Sequence, residues 1–134
     1  MKGTVRHFKI DEVTGVTINE HTNERLIKLL ASPISDVKRQ QFSVGLSIIE
    51  PGRIHEEHKH DTSEELIVVI AGHGLARIAC QEFPISYGSV IDISQGEPHG
   101  FANTGQSILT LLWIYDPPGA EKRFVSKGAK EGML

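Results

Sequence analysis

Cysteine is nearly missing from this chain: Cys80 stands alone among 134 residues. An intrachain disulfide and a zinc site built from several thiolates are therefore excluded, and the expected role for Cys80 is that of a small buried hydrophobe. An excess of one charge is missing too. Fourteen basic residues face seventeen acidic ones, a formal net charge of −3, and no run of Lys and Arg is long enough to follow a phosphate backbone, so nucleic acid is not an expected partner. Nowhere do about 18 apolar residues follow one another, and the opening MKGTVRHFKIDE places a charge every few positions. This predicts no membrane association and a cytoplasmic location.

What is present is ordinary globular composition, 39% hydrophobic and 23% charged, over a length that suits one domain with one core. Residues 1–22 read as polar and loosely ordered, within an N-terminal arm of residues 1–24. Arg25 to Ala31 (RLIKLLA) carries apolar spacing compatible with helix or strand, and Pro33 ends it either way. Phe42 to Ile49 (FSVGLSII) predicts a strand stopped by the turn pair Pro51-Gly52. From Glu65 onward short β-rich runs alternate with Gly and Pro: LIVVI, AGHG, LARIAC, QEFP, ISYG, SVIDI, SQGEP and SILTLLWIY before Pro117-Pro118.

No sustained 3.6-residue apolar period occurs between Phe42 and Tyr115, so the fold class is all-β, an antiparallel sandwich or barrel over about residues 40–116. Residues 117–134 read as a locally basic, solvated tail with one helical turn and no chemistry. The runs Leu66 to Ile70 and Ile108 to Ile114 are apolar at nearly every position. Both faces of those strands should then be covered, by a second sheet, by the N-terminal segment or by a second subunit, and a homodimer is the expected assembly.

Four of the seven histidines, His55, His58, His60 and His73, fall within nineteen residues, and His99 stands apart beside Gly and Pro. Imidazole is the commonest metal ligand, and in an extended chain residues two apart point the same way. His58-Lys59-His60 thus offers two imidazoles to one face. The stretch HEEH at 55–58 does not fit the helical H-E-x-x-H zinc signature, because Lys59 occupies the position four after His55 and the surroundings are β-rich.

Gly52, five residues, His58, one residue, His60, four residues, Glu65, six residues and Gly72 resemble, without a gap, the first motif of the cupin superfamily. The second motif follows in order: Gly88, five residues, Ser94 where the family usually has proline, then Gly96, two residues, His99, three residues and Asn103. Fifteen residues separate the motifs, similar to small single-domain cupins. The resemblance implies a conical antiparallel barrel of the jelly-roll type with one metal ion held by His58, His60, Glu65 and His99. It also implies turn and packing roles for Asn103 and for glycines 52, 72, 88 and 96. Glu64 competes with Glu65, but only Glu65 gives the gap of six to Gly72.

Three imidazoles and one carboxylate suit a divalent Mn, Fe, Co, Ni, Cu or Zn ion better than Mg or Ca. A six-coordinate ion keeps two positions open for a small-molecule ligand, whereas four-coordinate zinc is saturated. The resemblance therefore points to a metal-dependent cupin enzyme acting on a small oxygen-bearing metabolite, a sugar derivative or organic acid. Isomerase, lyase, decarboxylase and dioxygenase chemistry all remain open. The competing reading is a non-catalytic ligand-binding or sensing module.

An enzyme needs an acid or base near the metal, for which Glu56, Glu57, Tyr87 and Tyr115 are candidates, and no catalytic residue is assigned among them. His55, Glu56 and Glu57 are expected in a solvated loop before the histidine pair, His73 in an exposed turn, and Arg53 and Arg77 in surface pairing. Phe42, Phe101 and Trp113 are expected in the core.

Overall fold

The computed structural model describes residues 7–20 and 23–124. Ten strands follow a 3-10 turn at Ile10–Glu12: β1 Val16–Glu20, β2 Asn23–Ala31, β3 Ser43–Ile49, β4 Ile54–His58, β5 Glu64–Ala71, β6 His73–Ile78, β7 Gln81–Ser86, β8 Val90–Ile93, β9 His99–Ala102 and β10 Leu109–Asp116. They form two antiparallel sheets, ordered β1-β2-β3-β10-β5-β8 and β4-β9-β6-β7. This is the all-β architecture that the punctuated sequence predicts.

Period-two burial places the core between the sheets. Ile27 and Leu29 from β2, Ile67 and Val69 from β5, and Leu111 and Trp113 from β10 face Ala76, Ile85 and Phe101 across the interior. Each apolar group removed from water adds roughly 25 cal/mol per Å², which makes this layer the main source of cohesion. The register pins it: Trp113 lies opposite Gly45, and a Cβ there would come within 2.3 Å of the indole. The indole N–H donates to Ser47 Oγ at 3.1 Å. Glycines 52, 72, 88 and 96 all have positive φ. At Gly72 a Cβ would also meet Ile108 O at 2.3 Å, so strands β5 and β6 can turn only over a residue without a side chain.

Several expectations are corrected. RLIKLLA, open between helix and strand, is part of β2. The N-terminal arm is not loosely ordered throughout, because Val16–Glu20 pairs with β2 from Val16↔Ile27 to Glu20↔Asn23 and buries Val16 and Ile18. QEFP and the first two residues of ISYG are one strand, β7, which accepts Pro84 because it is the edge of its sheet, and Tyr87-Gly88 form the turn after it. Cys80 is exposed. It occupies the β6–β7 turn with Ala79, both at positive φ, so the backbone turn overrides the apolar preference of the thiol.

The described part of the tail is not a solvated end. Glu121 and Phe124 are buried, Glu121 Oε1 accepts from Ser43 Oγ at 2.9 Å and from Gly119 N at 2.8 Å, and Phe124 packs on Trp113. Residues 125–134 lie outside the described residues. The covering expected over both faces of β5 and β10 is incomplete as well: their inward residues are buried, while Val68, Ile70, Leu112 and Ile114 are half-buried and Leu66 is exposed. Phe101 and Trp113 join the core as expected, whereas Phe42 is half-buried under Arg39.

Candidate metal centre

Strand β4 ends at His58, and the chain passes through Lys59, which is exposed, to His60, which is buried. The pair still converges, with the two Nε2 atoms 3.2 Å apart. β5 supplies Glu65 on its inward face and leaves Glu64 exposed, and β9 pairs with β4 at His58↔His99, which sets His99 beside the other two rings. Nε2 of His60 lies 3.3 Å and Nε2 of His99 3.0 Å from Glu65 Oε1. One ligand atom from each of His58, His60, Glu65 and His99 lies within 4.8 Å of the other three. Ligands bound at about 2.1 Å to one transition-metal ion stand about 3 Å or more apart, so this spacing fits a single ion.

Two further observations test the fit. His58 Nδ1 donates to Glu56 O at 3.0 Å and His99 Nδ1 to Glu97 O at 2.8 Å, which fixes the tautomers and turns both Nε2 lone pairs inward, as backbone carbonyls do for metal-bound histidines. His99 Nε2 and Glu65 Oε1 are fully buried without a well-formed hydrogen bond. Such atoms cost of order 1–3 kcal/mol each unless a partner satisfies them. A cation at the centre of the four residues would satisfy both.

The electrostatics agree with this arrangement. Burial, with the neighbouring Arg123, pushes the His58 pKa down to about 2, so the imidazole stays neutral and able to ligate. Burial would raise the Glu65 pKa, but contacts from His60 and His99 outweigh it and hold the carboxyl at about 2, as a carboxylate. Burial, then the nearby Glu65, pushes the Tyr115 phenol well above its ordinary range. Tyr115 is β10's partner of Glu65 in register, packs against His60 and is hydrogen-bonded by Arg123.

Of the candidate acids and bases, then, Tyr115 lies at the centre. Glu56 and Glu57 sit exposed at its rim, and Tyr87 is 77% exposed in the β7–β8 turn. His55 is not in a loop: it lies buried in β4 and stacks on His58 with ring centroids 4.3 Å apart. Arg53 pairs with Glu24 at 3.4 Å on the surface, as expected; His73 is exposed but opens β6, and Arg77 is exposed.

Two residues passed over in the sequence border the centre. Arg123 Nη2 donates to His58 Nε2 at 3.2 Å. Arg25 is buried and donates to Asn23 Oδ1 at 2.8 Å. A signal for Arg25 existed in strand spacing, which puts it on the same inward face as Ile27 and Leu29, an uncommon place for a guanidinium. For Arg123 only the basic character of the tail pointed that way.

Comparison with known proteins decides the family. The model of the cupin domain matches residues 45–115, more than half of the chain. The chain belongs to the cupin family. An uncharacterized protein of Methanocaldococcus jannaschii is 33% identical over 76 residues, 57% of this cupin and 61% of that relative's length. This cupin therefore spans about three fifths of the curated relative it matches. Among solved structures, a predicted oxalate decarboxylase of Thermotoga maritima superposes with a TM-score of 0.74 at 22% identity, covering 84% of this chain and all of that one. Oxalate decarboxylase of Lactobacillus farciminis gives 0.69 at 24% identity over 84% of this chain and 33% of its own. KdgF of Halomonas gives 0.66 at 11% identity over 79% and 89%. At these identities the likeness establishes the shared jelly-roll fold.

Proposed function

We propose that this cupin is a metal-dependent enzyme acting on a small oxygen-bearing metabolite, with His58, His60, Glu65 and His99 as the ligands of one divalent transition-metal ion. The observation that carries the reading is the convergence of three imidazoles and one carboxylate, two of their ligand atoms buried and lacking hydrogen-bond partners, around one point inside the barrel. Bound there, a divalent ion supplies Lewis-acid polarisation of a substrate oxygen. The chain contributes the rest. Backbone carbonyls of Glu56 and Glu97 orient the rings, burial keeps water off His99 and Glu65, and Tyr115 keeps its proton and serves as a hydrogen-bond donor beside the carboxylate.

A buried phenol so close to the donor set favours an enzyme over a pure binding module, because the module needs affinity but no proton donor. Isomerase, lyase, decarboxylase and dioxygenase reactions are all consistent with these groups. Structural neighbours that bear oxalate decarboxylase names support small organic acids as the first substrates to try.

The test begins with metal content after purification without chelator. Wild-type protein is expected to hold about one transition-metal ion per chain and His58→Ala with His60→Ala essentially none; equal content in both overturns the site. Tyr115→Phe is expected to keep its metal and to lose at least about tenfold in turnover of any organic acid or sugar found to react. Unchanged turnover would remove Tyr115 from the chemistry. We also infer that the chain pairs as a homodimer through the outward face of its six-stranded sheet, a reading supported by the half-buried apolar residues there.

A further inference from the structure

The polypeptide leaves β10 at Asp116 and doubles back as a strap, residues 117–124, that ends against the metal-ligand side chains. Three anchors hold it. At its root Ser63 Oγ donates to Pro117 O at 2.7 Å. In its middle the buried Glu121 accepts from Ser43 Oγ at 2.9 Å and from Gly119 N at 2.8 Å. At its end the buried Phe124 packs on Trp113 with ring centroids 5.8 Å apart. Between the last two anchors Lys122 is exposed, whereas Arg123 is half-buried and reaches inward, where Nη2 donates to His58 Nε2 at 3.2 Å.

This contact sets two cations in competition for one atom. His58 Nδ1 donates to Glu56 O, so Nε2 carries the only lone pair in the plane of the ring. A hydrogen bond from Arg123 and a bond to a divalent ion both draw on that pair, and the guanidinium and the ion repel each other besides. Only one of them can hold His58 at a time.

Arg123 does not give way alone. Its guanidinium lies over the ring of Phe124, 4.7 Å from the centroid. Arg123, Phe124 and His58 together form part of the wall of a cleft of about 170 Å³ beside the centre. A displacement of the guanidinium is therefore passed to the neighbouring ring and to the wall of the cleft.

We propose that residues 117–124 are a metal-responsive strap: a divalent ion that claims the His58 lone pair from Arg123 loosens Phe124 from Trp113 and widens the cleft. Access to the centre then follows metal loading. The inference rests on the metal reading and adds to it a coupling between ion and strap. Coupling is reciprocal, so whatever weakens the strap must tighten metal binding by as much as the ion weakens the strap.

The test uses the full chain after chelator treatment, with zinc as the probe because it is spectroscopically silent. Zinc affinity is read by competition with a chromogenic chelator, and the strap by the emission of Trp113, the single tryptophan. Zinc is expected to red-shift the emission of wild-type protein. Arg123→Met, which keeps the stem and removes the N–H groups and the charge, is expected to bind zinc at least about tenfold more tightly, the scale of a lost hydrogen bond to a charged group. Glu121→Ala, which releases the middle anchor and keeps all four ligand side chains, is expected to act in the same direction, so the result does not hang on the folding of one variant. In a His58→Ala background Arg123→Met should no longer change the affinity.

Failure of both wild-type and Arg123→Met protein to take up zinc overturns the metal reading. Zinc binding by wild type with the Trp113 emission unmoved, or with Arg123→Met and Glu121→Ala both within twofold of wild type, overturns the strap and leaves the metal centre standing. So does a gain from Arg123→Met that persists undiminished in the His58→Ala background, which would be an effect of net charge and not of the shared lone pair.

Discussion

At the scale of single residues, burial beside the centre holds His55, His58 and Glu65 each in one protonation state. His55 shows the consequence most directly. Burial lowers its pKa well below the ordinary histidine value, and the charges of Arg25, His58, Arg123 and His99 act in the same direction. His58, pushed down to about 2 for similar reasons, behaves alike. The unfolded chain therefore binds protons near pH 6.5 that the folded chain refuses, so stability rises with pH below that value and falls on acidification. Each such histidine contributes a slope approaching about 1.4 kcal/mol per pH unit.

Glu65 adds in the same direction lower down, because a carboxyl held at about 2 stabilises above pH 4.5 and ceases to as pH falls toward 2. Urea unfolding of chelator-treated protein should therefore show a marked loss of stability between about pH 6.5 and 4.5, and His55→Phe should flatten it by roughly one proton's worth. A stability independent of pH across that interval contradicts the buried, neutral histidines.

At the scale of elements, what the sequence made legible depended on whether the determinant was local. Turn residues and β-rich runs predict β3, β5, β6, β8 and β10 closely but not β4 or β9, and the motif spacing puts Glu65 rather than Glu64 on the inward face, where it lies. RLIKLLA could not be resolved, because seven residues with apolar groups at several spacings satisfy two periods at once; pairing with β1 and β3 decides it. His55 was misplaced because the two glutamates after it resemble a solvated loop, whereas its pairing with Phe101 holds it in a strand.

The return of residues 119–124 onto the barrel was invisible for a different reason: it is fixed by tertiary contacts, Glu121 to Ser43 across 78 positions and Phe124 to Trp113 on the neighbouring strand β10, that no local pattern announces. Phe124→Ala should therefore cost about 3 kcal/mol, the usual penalty for emptying a buried aromatic site, and should loosen Arg123, which stacks on that ring. Tyr87→Ala, at an exposed turn, should change stability by no more than about 0.5 kcal/mol. Equal stability of the two variants would show that the segment does not pack on the core.

At the scale of the whole molecule, the outward face of the six-stranded sheet carries the argument for a second copy. Register aligns Lys28, Leu46, Leu112, Val68 and Val90 in one row across five strands, and Ala31, Val44, Ile114, Leu66 and Asp92 in another. A solvated antiparallel sheet normally turns polar residues outward, yet here charge appears only at the ends of these rows. A two-fold axis running along the strands sets the Lys28 end of one copy against the Asp92 end of its partner, which makes the face complementary to itself.

Five strands at about 4.8 Å and three rows of residues give a face of about 24 by 20 Å, on the order of 500 Å² per copy. That is near the lower bound of about 1,000 Å² in total for a specific interface, so a dimer formed through this face should dissociate on dilution. Sedimentation over a concentration series should show a monomer–dimer equilibrium. Val68→Glu, whose carboxylate would sit buried at the centre of the face, should shift it to monomer while the circular dichroism spectrum is kept. Asp92→Lys should weaken the dimer and added Lys28→Asp should recover it. Wild-type protein that remains monomeric at the highest concentration, or Val68→Glu protein that pairs as before, would assign the apolar rows to the fold alone.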